Sequence, residues 1–257
     1  SDPGFAPMSV LLDRVLATAT AGGVGVFVAS FDDGSSGCFR FMAAPDPLHT
    51  AAAVVWPSTS PWVTAVGGTN LTLRDDNTIE SSGVWNDATF GAVPTQQVPE
   101  IGGGGGGSSL VASRPWFQTG PGVTAGAARL VPDVAAFSDS APGYMVVLSG
   151  APTIVGGTSA ATPLTAGAFA LLGTARAALG RAPLGFVAPL LYSLASSGIA
   201  VERSALLDIV LGTNDVWGIG VFPATAGFDR ATGLGSPRYD VLRELVAPEP
   251  VTPHFTG

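Results

Sequence analysis

The order of helix, glycine pair and apolar strand near the start of the chain most constrains its fold. Residues 9–21, SVLLDRVLATATA, carry apolar side chains at helical spacing and end at Gly22-Gly23. The next residues, VGVFVAS at 24–30, form a continuous apolar run typical of a strand buried on both faces. Helix, turn and buried strand make half of an α/β crossover. The sequence therefore predicts a mostly parallel central sheet flanked by helices.

Three more stretches predict strands, and one predicts a long helix. The strand candidates are PWVTAVGGTNLTL at 61–73, GYMVVLSG at 143–150 and PTIVGG at 152–157. An Ala-rich helix follows and is predicted to end at Gly180, with Pro163 in its first turn, where a missing N–H costs nothing. The six consecutive glycines at 102–107 predict a flexible surface loop.

Composition limits the class of protein. With 257 residues, 46% of them hydrophobic and 12% charged, the chain can bury a substantial core. We expect one domain over residues 1–247 and an extended, proline-containing tail over 248–257. A net charge of −8 argues against nucleic-acid binding. The absence of an apolar run of about 18 residues argues against a membrane span. The lone Cys38 allows no disulfide within the chain.

The first residues, SDPGFAPMS, have neither an initiating methionine nor a basic and apolar leader. They favour a chain that is a fragment or a processed product.

Ser159 stands at the junction of a predicted strand and a predicted helix, in GGTSAATPLTAG at 156–167. A serine at a helix start lies near unpaired N–H groups and the positive end of the helix dipole, which favour a developing alkoxide. The flanking glycines let a substrate backbone come close. The alternative is an ordinary Ser/Thr helix cap.

Six blocks of sequence stand in order over about 210 residues: VVWPSTSPWVTAVGGTNL (54–71), PDVAAFSDSAPGYMV (132–146), GGTSAATP (156–163), GFVAPLLY (185–192), LLDIVLGTND (206–215) and AGFDRATGLGSP (226–237). Together they resemble the sedolisins, the serine-carboxyl peptidases. The resemblance implies a subtilisin-like α/β fold and an acyl-enzyme formed on Ser159.

The subtilisins proper are the nearest competitor, and they need a histidine base. The two histidines, His49 and His254, lie in an apparent loop and in the tail, and neither has a catalytic sequence context. Sedolisins instead use a glutamate oriented by an aspartate four residues later, on one helix face.

No glutamate in this chain is followed by an aspartate at that spacing; the five are Glu80, Glu100, Glu202, Glu244 and Glu249. The resemblance places the Glu/Asp pair upstream, so the chain corresponds to roughly the C-terminal two-thirds of the catalytic domain. Three explanations remain open: a cleaved enzyme whose other piece supplies the pair, an incomplete sequence, or a sedolisin-like module without peptidase activity.

The segment VASFDDGSSG at 28–37 resembles the sedolisin segment that contributes an aspartate to the oxyanion hole. The resemblance assigns this role to Asp32, whose protonated carboxyl could donate a hydrogen bond to the oxyanion at low pH. Phe31 replaces the usual glycine and Asp33 is adjacent, which leaves the register open. The alternative is an Asp-Asp-Gly turn after a strand.

The resemblance also implies one Ca²⁺ site near the end of the chain. Its carboxylate ligands would be Asp208 and Asp229, and its carbonyl ligands those of Ile209, Thr225 and Gly227. Two ordinary loop aspartates are the alternative.

The sequence thus predicts an acid endo- or tripeptidyl-peptidase acting on peptides or proteins, with its base supplied by an N-terminal segment outside this chain. The resemblance implies an acidic location, either secreted or lysosomal/vacuolar. The rival hypothesis is an inactive sedolisin-like module that binds a partner or has a structural role.

Overall fold

A computed structural model describes residues 6–37, 51–88, 102–197 and 204–248. In chain order, the helices and strands of these residues are α1 (Ala6–Ala21), β1 (Phe27–Ala29), β2 (Thr64–Leu73), β3 (Ile79–Val84), β4 (Gly107–Ser113), β5 (Ala128–Val131), β6 (Val134–Phe137), β7 (Tyr144–Leu148), β8 (Ala151–Val155), α2 (Thr158–Ala178), α3 (Ala188–Ala195), β9 (Leu206–Leu207), β10 (Ser236–Pro237) and α4 (Tyr239–Val246). Several residues discussed above lie outside the described ranges: Cys38, His49, Glu100, Glu202, Glu249, His254 and the predicted tail beyond residue 248.

Strand β2 is the centre of the predicted parallel sheet. β1 pairs with it in parallel, with Ala29 opposite Val66, and β6 pairs in parallel on the other side, with Val134 opposite the same Val66. The second half of β2 continues beyond both neighbours and pairs with β3 in antiparallel orientation. The sheet therefore brings the carboxyl ends of β1 and β6 to one edge, where parallel sheets bind ligands.

The main hydrophobic core lies between this sheet and the helices α2, α3 and α4. Phe169 and Leu172 of α2 are buried with Val66 of β2, Leu191 of α3 and Leu242 of α4. α2 therefore has one face fixed by the core, so the position of its first turn is set by packing.

A buried ion pair joins β5 to the start of β6. The Arg129 guanidinium and the Asp133 carboxylate are 2.6 Å apart, and both side chains are fully buried. The Tyr192 hydroxyl donates to Asp133 Oδ1 at 3.0 Å, and the Ala65 N–H donates to Oδ2 at 2.8 Å. Burial, followed by the Asp133 charge, raises the pKa of Tyr192, so its hydroxyl remains a donor.

The predicted flexible loop at residues 102–107 is wrong, because these glycines are buried in the interior. Gly103 donates to the Asp32 carbonyl at 3.0 Å, and Gly105 donates to the Phe31 carbonyl at 2.7 Å. A Cβ on Gly105 would overlap the Ser30 carbonyl. The run has no side chains because it packs directly against the backbone that follows β1.

The predicted position of Pro163 is also wrong, whereas the predicted helix end is correct. α2 begins at Thr158, so Pro163 lies in its second turn and cannot donate the usual helical hydrogen bond to the Ser159 carbonyl. Gly180 has a φ of 68° and follows the C-cap Leu179, as a helix-terminating glycine does.

Candidate active site

Ser159 lies in the first turn of α2, just after the β7–β8 hairpin. Gly157 is the N-cap of the helix, with a φ of 85° and no side-chain capping bond. Ser159 is one residue inside the helix and exposed to solvent. It is therefore not the N-cap residue, and the capping alternative from the sequence does not describe it.

Asp32 provides the cap in place of the missing N-cap side chain. Its Oδ1 atom accepts hydrogen bonds from the Thr158 N–H at 2.7 Å and from the Thr158 hydroxyl at 2.8 Å. A Cβ on Gly157 would come within 2.8 Å of the other carboxyl oxygen, Oδ2. The glycine thus leaves room for the Asp32 carboxyl beside this turn.

Of the two adjacent aspartates, Asp32 is the one whose carboxyl contacts Thr158. Asp33 is almost fully buried, and its backbone pairs with Gly103. Phe31, which precedes them, has a φ of 74°. Glycine adopts this left-handed conformation without strain and phenylalanine does not.

The first turn of α2 has one N–H that remains available to an oxyanion. Those of Thr158 and Ala160 already have acceptors, namely Asp32 Oδ1 at 2.7 Å and the Gly157 carbonyl at 3.0 Å. The N–H of Ser159 lies between them. Together with a protonated Asp32 carboxyl, this N–H can form a two-donor site for a substrate oxygen.

A base for Ser159 is not found among the described residues. No described side chain hydrogen-bonds to the Ser159 hydroxyl. Of the glutamates in the described ranges, Glu80 is an exposed residue of β3 and Glu244 lies on α4. A serine hydroxyl is a weak nucleophile without an adjacent base, so the described residues do not by themselves provide all the groups that acyl transfer needs.

Asp139 lies beside the serine turn, and sequence reasoning did not single it out. It follows β6, and the carbonyl of the preceding residue, Ser138, accepts a hydrogen bond from the Gly157 N–H at 2.5 Å. Burial, and then the charge of nearby Asp87, raises the pKa of Asp139. The only sequence signal for it was its position just past a strand that ends at the ligand-binding edge of the sheet.

The five residues predicted to bind calcium form one loop cluster after β9. Asp208 Oδ2 accepts from the Gly227 N–H at 2.8 Å, and Asp229 Oδ2 accepts from the Thr225 N–H at 2.9 Å. Ile209, beside Asp208, is buried. The structure therefore brings both carboxylates to opposite ends of the same short segment, 225–227.

The chemistry of this cluster fits a hard cation. Burial raises the pKa of both Asp208 and Asp229, and no described basic side chain pairs with either one. Carboxylate and carbonyl oxygens are the ligands that Ca²⁺ takes. The described residues offer only these two carboxylates and no group of three or more acidic, histidine or cysteine ligands, so backbone carbonyls and water would have to complete the shell.

In the part of the chain that the structure describes, no helix is long and apolar enough to cross a membrane.

Comparison with known proteins identifies clear relatives. The chain is 36% identical over 238 residues to kumamolisin from Bacillus sp. (strain MN-32), a match covering 92% of this chain and 39% of kumamolisin. It is 34% identical over 224 residues to sedolisin from Pseudomonas sp. (strain 101), covering 87% and 35%. Human tripeptidyl-peptidase 1 is 32% identical over 247 residues, covering 91% and 40%. No protein-family model matches the chain.

The fold has a solved counterpart. The structure of Pseudomonas sedolisin in complex with two molecules of pseudo-iodotyrostatin matches with a TM-score of 0.75 and 32% identity. The match covers 91% of this chain and 58% of that chain. The architecture is therefore the α/β fold of that enzyme. The chain spans about two fifths of the length of the curated relatives.

Proposed function

Because the chain belongs to the sedolisin family of serine-carboxyl peptidases, we propose that Ser159 is the nucleophile of a peptidase. The observation that carries the proposal is the contact between Asp32 Oδ1 and the Thr158 N–H, 2.7 Å, at the helix terminus where Ser159 is exposed. This contact holds the Asp32 carboxyl, which follows β1, against the residue next to Ser159, although Asp32 and Thr158 are 126 residues apart in sequence.

The first half-reaction begins when Ser159 Oγ attacks the carbonyl carbon of the scissile peptide bond and gives its proton to a carboxylate base. The resulting oxyanion accepts hydrogen bonds from the Ser159 N–H and from Asp32, protonated at Oδ2. The amide C–N bond then breaks, and the base returns the proton to the leaving amine. Water, activated by the same base, hydrolyses the acyl ester and regenerates Ser159. A protonated Asp32 restricts this chemistry to acidic conditions, such as a secreted or lysosomal/vacuolar environment.

The base belongs to a segment outside residues 1–257, the Glu/Asp pair that the family resemblance implies. Two surfaces support a missing neighbour. Among the described residues β1 pairs with β2 only, which leaves one edge of the strand unpaired. On α2, Leu164 and Leu171, seven residues apart on one face of the helix, are 53% and 73% exposed. An open strand edge and an apolar helix face both favour contact with another segment.

Calcium would be held by the carboxylates of Asp208 and Asp229 and the carbonyls of Ile209, Thr225 and Gly227. Bound there, the ion would neutralise both carboxylates and tie the loop at 225–229 to the end of β9. This role is structural, and no chemical step involves the ion.

The test compares residues 1–257 alone with a longer form of the protein that includes the upstream segment. At acidic pH the longer form should hydrolyse peptides, and Ser159→Ala should lower the rate by roughly 10³-fold or more. Thr174→Ala, which removes an exposed hydroxyl from the far end of the same helix, should leave the rate unchanged. Full activity of residues 1–257 alone would overturn the external base.

The alternative is a module that binds peptides without cleaving them. It is favoured if the longer form folds and binds peptide but shows no turnover, and if Ser159→Ala changes neither property.

A further inference from the structure

A cavity of about 200 Å³ lies between the first half of α1, the segment before β2 and strand β4. It shares no lining residue with the Ser159 turn or with the calcium-ligand cluster. Val111 and Ala112 of β4 close one side. The other lining residues are Ser9, Val10, Asp13, Trp56, Thr59 and Ser60.

The Asp13 carboxylate is the notable group in this cavity. Its Oδ1 atom is screened from solvent, and among the described residues no donor lies within hydrogen-bond distance of it. A screened carboxylate oxygen without a donor costs free energy, because water no longer solvates it and nothing replaces the water. A cationic donor entering the cavity would remove that cost.

The remaining lining also favours a cation. Trp56 provides an aromatic ring, which attracts an ammonium or guanidinium through its quadrupole. Thr59 and Ser60 are almost fully buried and provide hydroxyl oxygens, which are acceptors. Val10 and the β4 residues provide apolar surface for an alkyl stem. The lining contains no basic side chain.

The size of the cavity fits a short side chain. An aminobutyl group has five heavy atoms and needs roughly 150 Å³ at about 30 Å³ per water-sized group. The net charge of the chain, −8, also attracts cations at long range.

We propose that this cavity binds a primary ammonium or guanidinium group on a short alkyl stem, with Asp13 as its counter-ion. Lysine and arginine side chains of a peptide and free polyamines share this chemistry. The site is independent of the proposed peptidase activity, because its ligand is recognised whether or not Ser159 reacts.

The test is calorimetric titration of residues 1–257 with Nα-acetyl-lysine amide, with spermidine and with the uncharged isostere Nα-acetyl-norleucine amide. The two amines should bind saturably and the norleucine compound should not. Asp13→Asn should weaken amine binding about tenfold or more, the usual effect of losing a hydrogen bond to a charged group. The tighter of the two amines identifies the source of the ligand.

Two further variants keep the test decisive. Val10→Lys places an ammonium one helical turn before Asp13, so it should abolish amine binding while the protein stays folded. Asp75→Asn removes an exposed carboxylate outside the cavity and should leave binding unchanged. Equal binding of the norleucine compound, full binding by the Asp13→Asn protein, or no saturable amine binding would each overturn the proposal.

Discussion

At the scale of single residues, Phe31 shows how a local conformation is imposed by its neighbours. Its φ of 74° belongs to the left-handed region, which costs a residue with a Cβ about 1–2 kcal/mol. The conformation persists because the carbonyl of Phe31 is held by Gly105 and Asp32 is held by Thr158. The residue before the candidate oxyanion donor therefore stores strain.

Comparing Phe31→Gly with Phe31→Ala isolates that strain, because both variants lack the ring. We expect the glycine variant to be more stable than the alanine variant by about 1 kcal/mol, since only alanine keeps a Cβ in the left-handed conformation. Urea unfolding of both proteins measures the difference. A more stable alanine variant would mean that the backbone at residue 31 relaxes to a negative φ.

At the scale of elements, the buried glycine run has no side chains and therefore lets two backbone segments lie in direct contact. Gly105→Ala should destabilise the protein by about 2 kcal/mol or more, because its Cβ would overlap the Ser30 carbonyl, which cannot move without displacing Asp32. The expected result in a chemical denaturation experiment is a lower midpoint with an unchanged slope.

Gly167→Ala on α2 is the matched control. A Cβ there would meet no atom within 4 Å, and the residue lies inside a helix. It should stabilise the protein by up to about 1 kcal/mol through helix propensity. If both glycine variants had the same effect, the close packing of the run would not be the cause.

At the scale of the whole molecule, the Arg129–Asp133 pair links β5, β6, β2 and α3 through one buried carboxylate. Asp133→Asn should cost about 3–5 kcal/mol, because it leaves the fully buried Arg129 guanidinium without a counter-charge. The exposed Asp240→Asn is the comparison and should change the free energy of unfolding by less than about 0.5 kcal/mol. A cost at Asp133 as small as at Asp240 would contradict the pairing.

Stability should also depend on pH through Asp139, Asp208 and Asp229, whose pKa values burial raises above the usual 3.8. Each binds its proton more tightly in the folded state than in the unfolded one. Each carboxyl therefore stabilises the metal-free fold at pH values below its usual, unfolded-state pKa. That stabilisation is lost as pH rises through its raised pKa in the folded state.

The free energy of unfolding should be measured in chelator from about pH 3 to 7 for wild type and for Asp229→Asn. The stability of wild type relative to the variant should fall as pH rises. Hydrogen bonds from the Thr78 hydroxyl and N–H lower the pKa of the exposed Asp76. Its contribution to stability therefore depends on pH in the opposite sense and is lost as pH falls. If Asp208 and Asp229 bind calcium as proposed, added calcium should stabilise wild type at neutral pH and lose this effect in acid, because carboxylate ligands must be ionised. A pH-independent difference at Asp229 would contradict the raised pKa.

The sequence alone determined what depends on neighbours along the chain. The periodicity of residues 9–21 and the apolar run after them predicted α1 and β1, and Gly180 predicted the end of α2. The turn before Ser159 was likewise readable from its glycines. Local backbone preferences and hydrophobic spacing decide these features within a few residues, so no tertiary contact is needed to predict them.

Only the tertiary structure decided what depends on residues far apart in sequence. Asp32 instead of Asp33 meets Thr158 because the packing of α2 on the sheet brings two segments together that are more than 120 residues apart. Six glycines are equally compatible with a mobile loop and with close backbone packing, and Gly105 is buried because Ser30 and Phe31 lie against it. In the sequence, Arg129 and Asp133 cannot be distinguished from two surface charges, and only the structure shows that they form a buried ion pair. In each case the deciding free energy comes from a contact that the local sequence does not encode.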